Sequence, residues 1–224
     1  MAFTPWYKDM VVYHIWCRSF CDGNGDGIGD LWGVLRKLDY IKSLGVDAIW
    51  FSPLYPSPNA DFGYDISDYM DIHPDFGDLT VFRQVLDEAH RRGLRVFMDL
   101  VVNHSSDEHP WFIESRKSRD NPYHDYYFWR PGRSKGGRLL PPNNWTSIFE
   151  GEAWEYDSNL DEYYLHLFVQ HKRNDIFVGR PFLPFLAKQE SRRDGCRRRR
   201  LQESRVVDRS LLLKSRLAPS RLLG

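Results

Sequence analysis

Val11-Val12-Tyr13-His14-Ile15-Trp16 is a short β-branched and aromatic run, and it reads as a strand buried inside a sheet. Two more apolar runs follow: Val46 to Phe51, ending at Ser52-Pro53, and Leu94 to Val102, ending at Asn103-His104. Between the first two, Leu31, Val34, Leu35, Leu38, Ile41 and Leu44 recur every three or four residues, one face of a helix, with Gly45 just past its end. Between the second and third, Thr80 is placed to cap a helix whose Phe82, Val85, Leu86 and Ala89 face inward, and Gly93 closes it. This βαβαβ order predicts an α/β fold with a parallel sheet and right-handed crossovers.

Polar residues gather after each strand: Asp22 to Asp30, Asp61 to Asp68, and Asn103-His104. In parallel α/β folds the C-terminal edge of the sheet is where ligands bind, so three loops point to one mouth. Asp22-Gly23-Asn24-Gly25-Asp26-Gly27-Ile28-Gly29-Asp30 offers hard oxygen atoms at alternating positions, the chemistry of calcium or magnesium. It is not an EF-hand, because Gly33 stands where the bidentate Glu would be required; a plain Asx/Gly turn is the alternative. Gly63-Tyr64-Asp65-Ile66-Ser67-Asp68-Tyr69 adds aromatic faces for a pyranose and carboxylates for its hydroxyls, although packing would also explain the tyrosines. Asp99 within the third strand and His104 at its end complete the set, each with an ordinary structural role as its alternative.

The zero net charge hides a division near Gln170. Residues 171–224 hold 15 basic and 5 acidic side chains, and residues 1–170 hold 16 and 26. All 8 Trp and all 12 Tyr lie before His171. Three cysteines, Cys17, Cys21 and Cys196, form no CxxC pair and suggest neither a disulfide framework nor a zinc site. No apolar run reaches the ~18 residues of a membrane span, and Met1 to Met10 has no secretory-signal pattern; a cytoplasmic protein without a membrane partner is expected.

These motifs, in this order, resemble the α-amylase superfamily of glycoside hydrolases, in its oligo-1,6-glucosidase and α-glucosidase branch. The resemblance runs from Trp6 to Phe168. It includes Trp50-Phe51-Ser52-Pro53, the Gly63–Tyr69 segment, Asp99 to His104, Asp107-Glu108-His109-Pro110-Trp111-Phe112, Pro141-Pro142-Asn143-Asn144-Trp145 and Tyr163-Tyr164-Leu165-His166-Leu167-Phe168. It implies the first three strands of a (β/α)8 TIM barrel over 1–104, an inserted domain B over 105–170 and a divergent basic tail over 171–224. It implies, too, that Asp61, Tyr64, Asp99 and His104 hold a terminal glucose. One structural Ca2+ or Mg2+ would be held by Asp22, Asn24, Asp26, the Ile28 carbonyl and Asp30, with no organic cofactor. The implied reaction is retaining hydrolysis of α-1,6 or α-1,4 bonds at the non-reducing end of short glucose-containing oligosaccharides. A trehalose synthase-type transglucosylating isomerase, or a non-catalytic sugar- or metal-binding module with a basic tail, are the alternatives.

A retaining glycosidase needs a nucleophilic carboxylate and an acid/base carboxylate. The family places its nucleophile after a Gly-Phe-Arg segment on the fourth strand, its acid at the end of the fifth and a His-Asp pair after the seventh. None of these segments occurs in the 224 residues, so no catalytic residue is assigned and the chain alone is expected to be inactive. The tail, with Arg192-Arg193 and Arg197 to Arg200, reads as an out-of-frame ending. Its lack of Trp and Tyr disfavours nucleic acid as a partner.

Overall fold

The computed structural model describes residues 5–148, 150–170 and 173–177. The chain opens with β1 (Val12–Ile15), a one-turn helix α1 (Cys17–Phe20), α2 (Leu31–Ser43), β2 (Ala48–Phe51), α3 (Leu79–Arg91) and β3 (Arg95–Met98). The three strands form a parallel sheet in the order β1-β2-β3, as the alternation of strands and helices predicts. The register rows are Val12–Ala48–Arg95, Tyr13–Ile49–Val96, His14–Trp50–Phe97 and Ile15–Phe51–Met98. Alternate rows point to opposite faces. The face with Ile15, Ile49 and Phe51 packs on Leu31, Val34, Leu38 and Ile41 of α2 and on Val81, Val85 and Ala89 of α3, forming the main core.

Both helices follow from local chemistry. The buried Asp30 carboxylate caps α2 by accepting from Gly33 N, 2.7 Å. Gly45 (φ 78°) and Gly93 (φ 69°) end the helices in the left-handed conformation that glycine adopts without Cβ strain. Two details correct the sequence reading. Asp78, not Thr80, caps α3, its Oδ1 accepting from Thr80 N (2.7 Å) and Val81 N (2.9 Å). Leu44 falls at the C-cap and is exposed rather than inward-facing. Asp78→Ala is accordingly expected to cost about 1 kcal/mol, the usual value of such a cap, and Thr80→Ala distinctly less. Urea unfolding of the two variants distinguishes the caps.

The first strand is also less covered than a run of apolar residues suggests. Such runs signal burial on both faces, yet Val11, Val12 and Trp16 are 56%, 37% and 42% exposed. On the face carrying Val12 the cover is uneven: Ala48 is fully buried and the Trp6 ring lies 4.5 Å from the Arg95 guanidinium, whereas Val12 itself is partly exposed.

After β3 the chain leaves the parallel sheet at Asp99. His104 was expected at the end of the third strand; it instead begins β4 (His104–Ser106), which belongs to a second, antiparallel sheet. The remaining elements are α4 (Pro110–Ser115), β5 (Trp129–Arg130), the hairpin β6 (Arg133–Lys135) and β7 (Arg138–Leu140), β8 (Trp154–Asp157), β9 (Glu162–Gln170) and β10 (Arg173–Phe177). The order is β4-β10-β9-β5, with β8 also on β9. Arg173–Phe177 thus carries this sheet past Gln170, where composition changes; five residues of strand are too few to register in a composition count. The Arg-rich segment from Pro181 onward lies outside the described residues.

The core of this second lobe is aromatic. Phe112, fully buried, stacks on Trp129 (5.8 Å, 5° between planes) and meets Tyr127 and Tyr164 edge-on at 5.1 and 5.0 Å. Edge-to-face and offset arrangements suit the ring quadrupole. No helix among the described residues is long and apolar enough to cross a membrane.

Candidate active site and metal loop

The segments that leave β2 and β3 meet at the C-terminal edge of the parallel sheet; after β1 Trp16 reaches them through Phe62, whereas the Asp22–Asp30 loop bonds to α1 and α2. Asp99, the first residue after β3, is the centre of that edge. Its Oδ2 accepts from Tyr64 OH at 3.1 Å, its Oδ1 from Trp50 Nε1 at 3.2 Å, and its backbone carbonyl from Tyr55 OH at 3.2 Å. Tyr64 is tied to the other expected residues as well. Its N–H donates to Asp61 O (2.9 Å), and its carbonyl lies 3.1 Å from His104 Nε2. Burial, then the Asp99 charge, raises the Tyr64 hydroxyl above its ordinary pKa, so it remains a protonated donor. Tyr55 is pushed to about 12 by the same two causes in the same order.

All four expected sugar-site residues are therefore linked through Tyr64. Asp61, Tyr64 and Asp99 are partly exposed, whereas His104 is buried. Burial lowers the His104 pKa to about 4 against the smaller raising effects of Tyr64 O and Asp65. A neutral ring whose Nε2–H bonds the Tyr64 carbonyl fastens the loop after β2 to β4, and Tyr69 OH, donating to His104 O at 2.6 Å, fastens it again. Asp65 is structural: it is buried and accepts from Ser57 Oγ (2.6 Å) and Ala60 N (2.7 Å).

Sequence reasoning missed the aromatic rim and the groups that hold Asp99. Phe62, 61% exposed, meets Trp16 edge-on at 6.2 Å, and Trp50 packs on His14 at 4.7 Å. Phe62 has φ 52°, a left-handed conformation that costs a bulky L-residue about 1–2 kcal/mol. Strain of this kind collects at ligand sites. Trp50 could have been found from spacing, since in β2 it lies in register with Phe97, two residues before Asp99.

The glycine-rich loop lies between α1 and α2. Asn24 gathers its acids: Asn24 N donates to Asp22 Oδ1 (3.1 Å) and to Asp30 Oδ2 (3.0 Å), and Asn24 Nδ2 to Asp26 Oδ2 (2.9 Å). Asp22 also accepts from Gly25 N and Gly27 N, bonds that hold its carboxyl below the ordinary range despite some desolvation. A Cβ on Gly29 would stand 2.1 Å from Cys17 O, and one on Gly33 1.9 Å from Cys21 O, so both positions need glycine for close backbone approach. Carboxylate, amide and carbonyl oxygens are the donor set of calcium and magnesium. The set fits such an ion chemically, although among the described residues no three Asp, Glu, His or Cys side chains already converge as a metal cluster. Asp30 has a second role as the cap of α2.

A parallel-sheet segment with its polar site at the C-terminal edge and an antiparallel lobe after the third strand is the arrangement of part of an α/β barrel. The family model for the alpha amylase catalytic domain matches residues 14–180, and the chain belongs to that family. It is 63% identical over 171 residues to an oligo-1,6-glucosidase of Parageobacillus thermoglucosidasius, covering 76% of this chain and 30% of the relative. An alpha-glucosidase of Candida albicans is 51% identical over 171 residues, with the same two coverages. Among solved structures, an isomaltulose synthase variant of Erwinia rhapontici in complex with D-glucose superposes with a TM-score of 0.72 at 48% identity, over 79% of this chain and 31% of that one. The chain spans about a third of the length of these relatives.

Proposed function

We propose that this chain is the glucose-binding part of an α-glucosidase of the oligo-1,6-glucosidase type, and that it binds without cleaving. The observation that carries this reading is the cluster of Tyr64, Asp99 and Trp50 at the sheet edge, with an acceptor carboxylate held rigid between two ring donors. The Tyr64 ring and the exposed Phe62 and Trp16 faces offer apolar surface to a pyranose, while Asp61 and Asp99 accept from its hydroxyls. Glycosidic cleavage requires two carboxylates flanking the bond. The segments that would supply them do not occur in this sequence. Oligo-1,6-glucosidase and alpha-glucosidase relatives at 51–63% identity favour hydrolysis over isomerisation as the reaction of the complete barrel.

Glucose titrated into the full chain is expected to give saturable protein-observed NMR shifts. Asp99→Ala should weaken binding at least about tenfold, the loss of a charge-assisted hydrogen bond worth ~1.5–3 kcal/mol. Equal affinity of the two proteins would overturn this reading of the site.

The proposal extends to the loop of Asp22, Asn24, Asp26, Ile28 and Asp30, which would hold one Ca2+ or Mg2+ in a structural role, bracing the start of α2. Calcium at about 100 times its dissociation constant should stabilise the chain by about 2.7 kcal/mol. A higher melting temperature is therefore expected with calcium for the unaltered chain and not for Asp26→Ala, a variant that leaves the Asp30 cap in place. A calcium response unchanged in Asp26→Ala would rule the loop out.

A further inference from the structure

His14 of β1 lies in register with Trp50 of β2, so the two side chains share one face of the parallel sheet. Their rings lie 4.7 Å apart with 32° between planes. Ser52, one residue past β2, is buried beside the end of β1, where its N–H donates to Ile15 O at 3.1 Å. Its Oγ stands 2.9 Å from His14 Nε2. Both neighbours of His14 lead to Asp99. Trp50 Nε1 donates to Asp99 Oδ1 at 3.2 Å, and Tyr64 OH donates to Asp99 Oδ2 at 3.1 Å. The Ser52 hydroxyl bonds the same Tyr64 hydroxyl, acting to lower a pKa that burial and then Asp99 raise.

Proton counting fixes the direction of these bonds. Tyr64 has a single hydroxyl proton, and an ionised Asp99 only accepts. Ser52 must then donate to the Tyr64 oxygen, which uses its own single proton, so toward His14 it accepts. The imidazole is therefore the Nε2–H tautomer, and the donors align one way: His14 to Ser52, Ser52 to Tyr64, Tyr64 to Asp99. Bonds polarised in one direction strengthen one another, the more so out of water.

We propose that His14 is a positioning residue of the sugar site: through Ser52 it orients the Tyr64 hydroxyl, and through its ring it holds the Trp50 indole, so that both donors stay aimed at the Asp99 carboxylate. The inference rests on the glucose-binding reading for what the aligned carboxylate serves. The role depends on reach as well as polarity, since the group that meets Ser52 Oγ is Nε2, the ring nitrogen farther from the backbone. Glutamine carries its amide N–H as many bonds from Cβ as His Nε2; asparagine carries it one bond nearer.

The test is glucose titration of the full chain and its variants, followed by protein-observed NMR. His14→Asn is expected to bind about fivefold more weakly, the scale of one lost neutral hydrogen bond, and His14→Gln to stay within about twofold of the unaltered chain. In a Ser52→Ala background His14→Asn should add no further loss, because the chain of bonds is already cut. Long-range 1H–15N correlation of the unliganded protein at about pH 8, above the ordinary histidine pKa, should show His14 as the Nε2–H tautomer, its signals assigned by their absence in His14→Gln. Equal losses in the Asn and Gln variants, additive losses with Ser52→Ala, or an Nδ1–H tautomer overturn the proposal. An unaltered chain that binds no glucose refutes the glucose-binding reading and leaves the proposal to the unliganded spectra. There Tyr64→Phe, which frees Ser52 to donate to the ring, should shift His14 toward Nδ1–H, and an unmoved tautomer overturns the proposal.

Discussion

Lowering the pH from 6.5 to 4.5 is expected to destabilise the described fold by several kcal/mol. Three histidines carry the effect. His104, His109 and His166 are buried, and desolvation lowers each pKa from the ordinary 6.5 to about 4. The unfolded chain therefore binds protons between about pH 6.5 and 4 that the folded chain does not, and stability rises with pH across that window. The contribution is fully present above 6.5 and is lost as pH falls toward 4, by up to about 1.4 kcal/mol per histidine for each pH unit. Structure gives His109 a further reason to stay neutral. Its Nδ1 accepts from Trp111 N at 3.2 Å and caps α4, a bond that protonation abolishes. His109→Asn, which retains a capping oxygen and removes the titrating group, should lose less stability than the unaltered chain between pH 6.5 and 4.5. Urea midpoints at pH 7.5, 6.5, 5.5 and 4.5 measure both curves; a flat unaltered curve would exclude buried neutral histidines.

Phe112→Ala should be the most damaging single truncation in the antiparallel lobe, costing about 3–5 kcal/mol as large buried aromatic truncations do. The ring is fully buried, and its removal ends three aromatic contacts at once, those with Tyr127, Trp129 and Tyr164. It takes away the apolar surface under Arg116, whose guanidinium lies 5.6 Å from the Phe112 centroid while bonding the buried Asp157 at 2.6 Å. Phe112→Leu keeps most of the volume and should recover a large part of the loss. Because this lobe presents β4 and hence His104 to the loop of Tyr64, Phe112→Ala is expected to weaken glucose binding as well. Urea unfolding gives the first effect and the glucose titration the second. A cost below about 1 kcal/mol would mean that these rings do not organise the lobe.

The parallel sheet and its helices were legible because their signals are local. Val34, Leu38 and Ile41 declare one helix face, and Gly45 and Gly93 declare the ends. The capping role of Asp30 was equally available, as an Asp directly before an apolar periodic run, but its place in an oxygen-rich loop suggested only a metal ligand. The choice between Asp78 and Thr80 was harder, since both residue types cap helices and two positions separate them. The departure of the chain at Asp99 has no comparable signal, for Leu100, Val101 and Val102 continue the apolar pattern of β3. What ends the strand is nonlocal: Asp99 is held by Trp50 and Tyr64, and His104 by pairing with Phe177. The aromatic box around Phe112 lay beyond reach for the same reason, since Phe112 and Tyr164 are brought together only by the fold. In the site, Asp61, Tyr64, Asp99 and His104 were placed by resemblance, and their linkage through Tyr64 emerges only in three dimensions.

Incubation of the purified 224-residue chain with isomaltose, followed by enzymatic assay of free glucose, tests most directly whether a glucose site here stands apart from the carboxylates that cleave. No release above the substrate blank is expected. Glucose release that Asp99→Ala abolishes would contradict it, because cleavage would then proceed with residues this chain already contains.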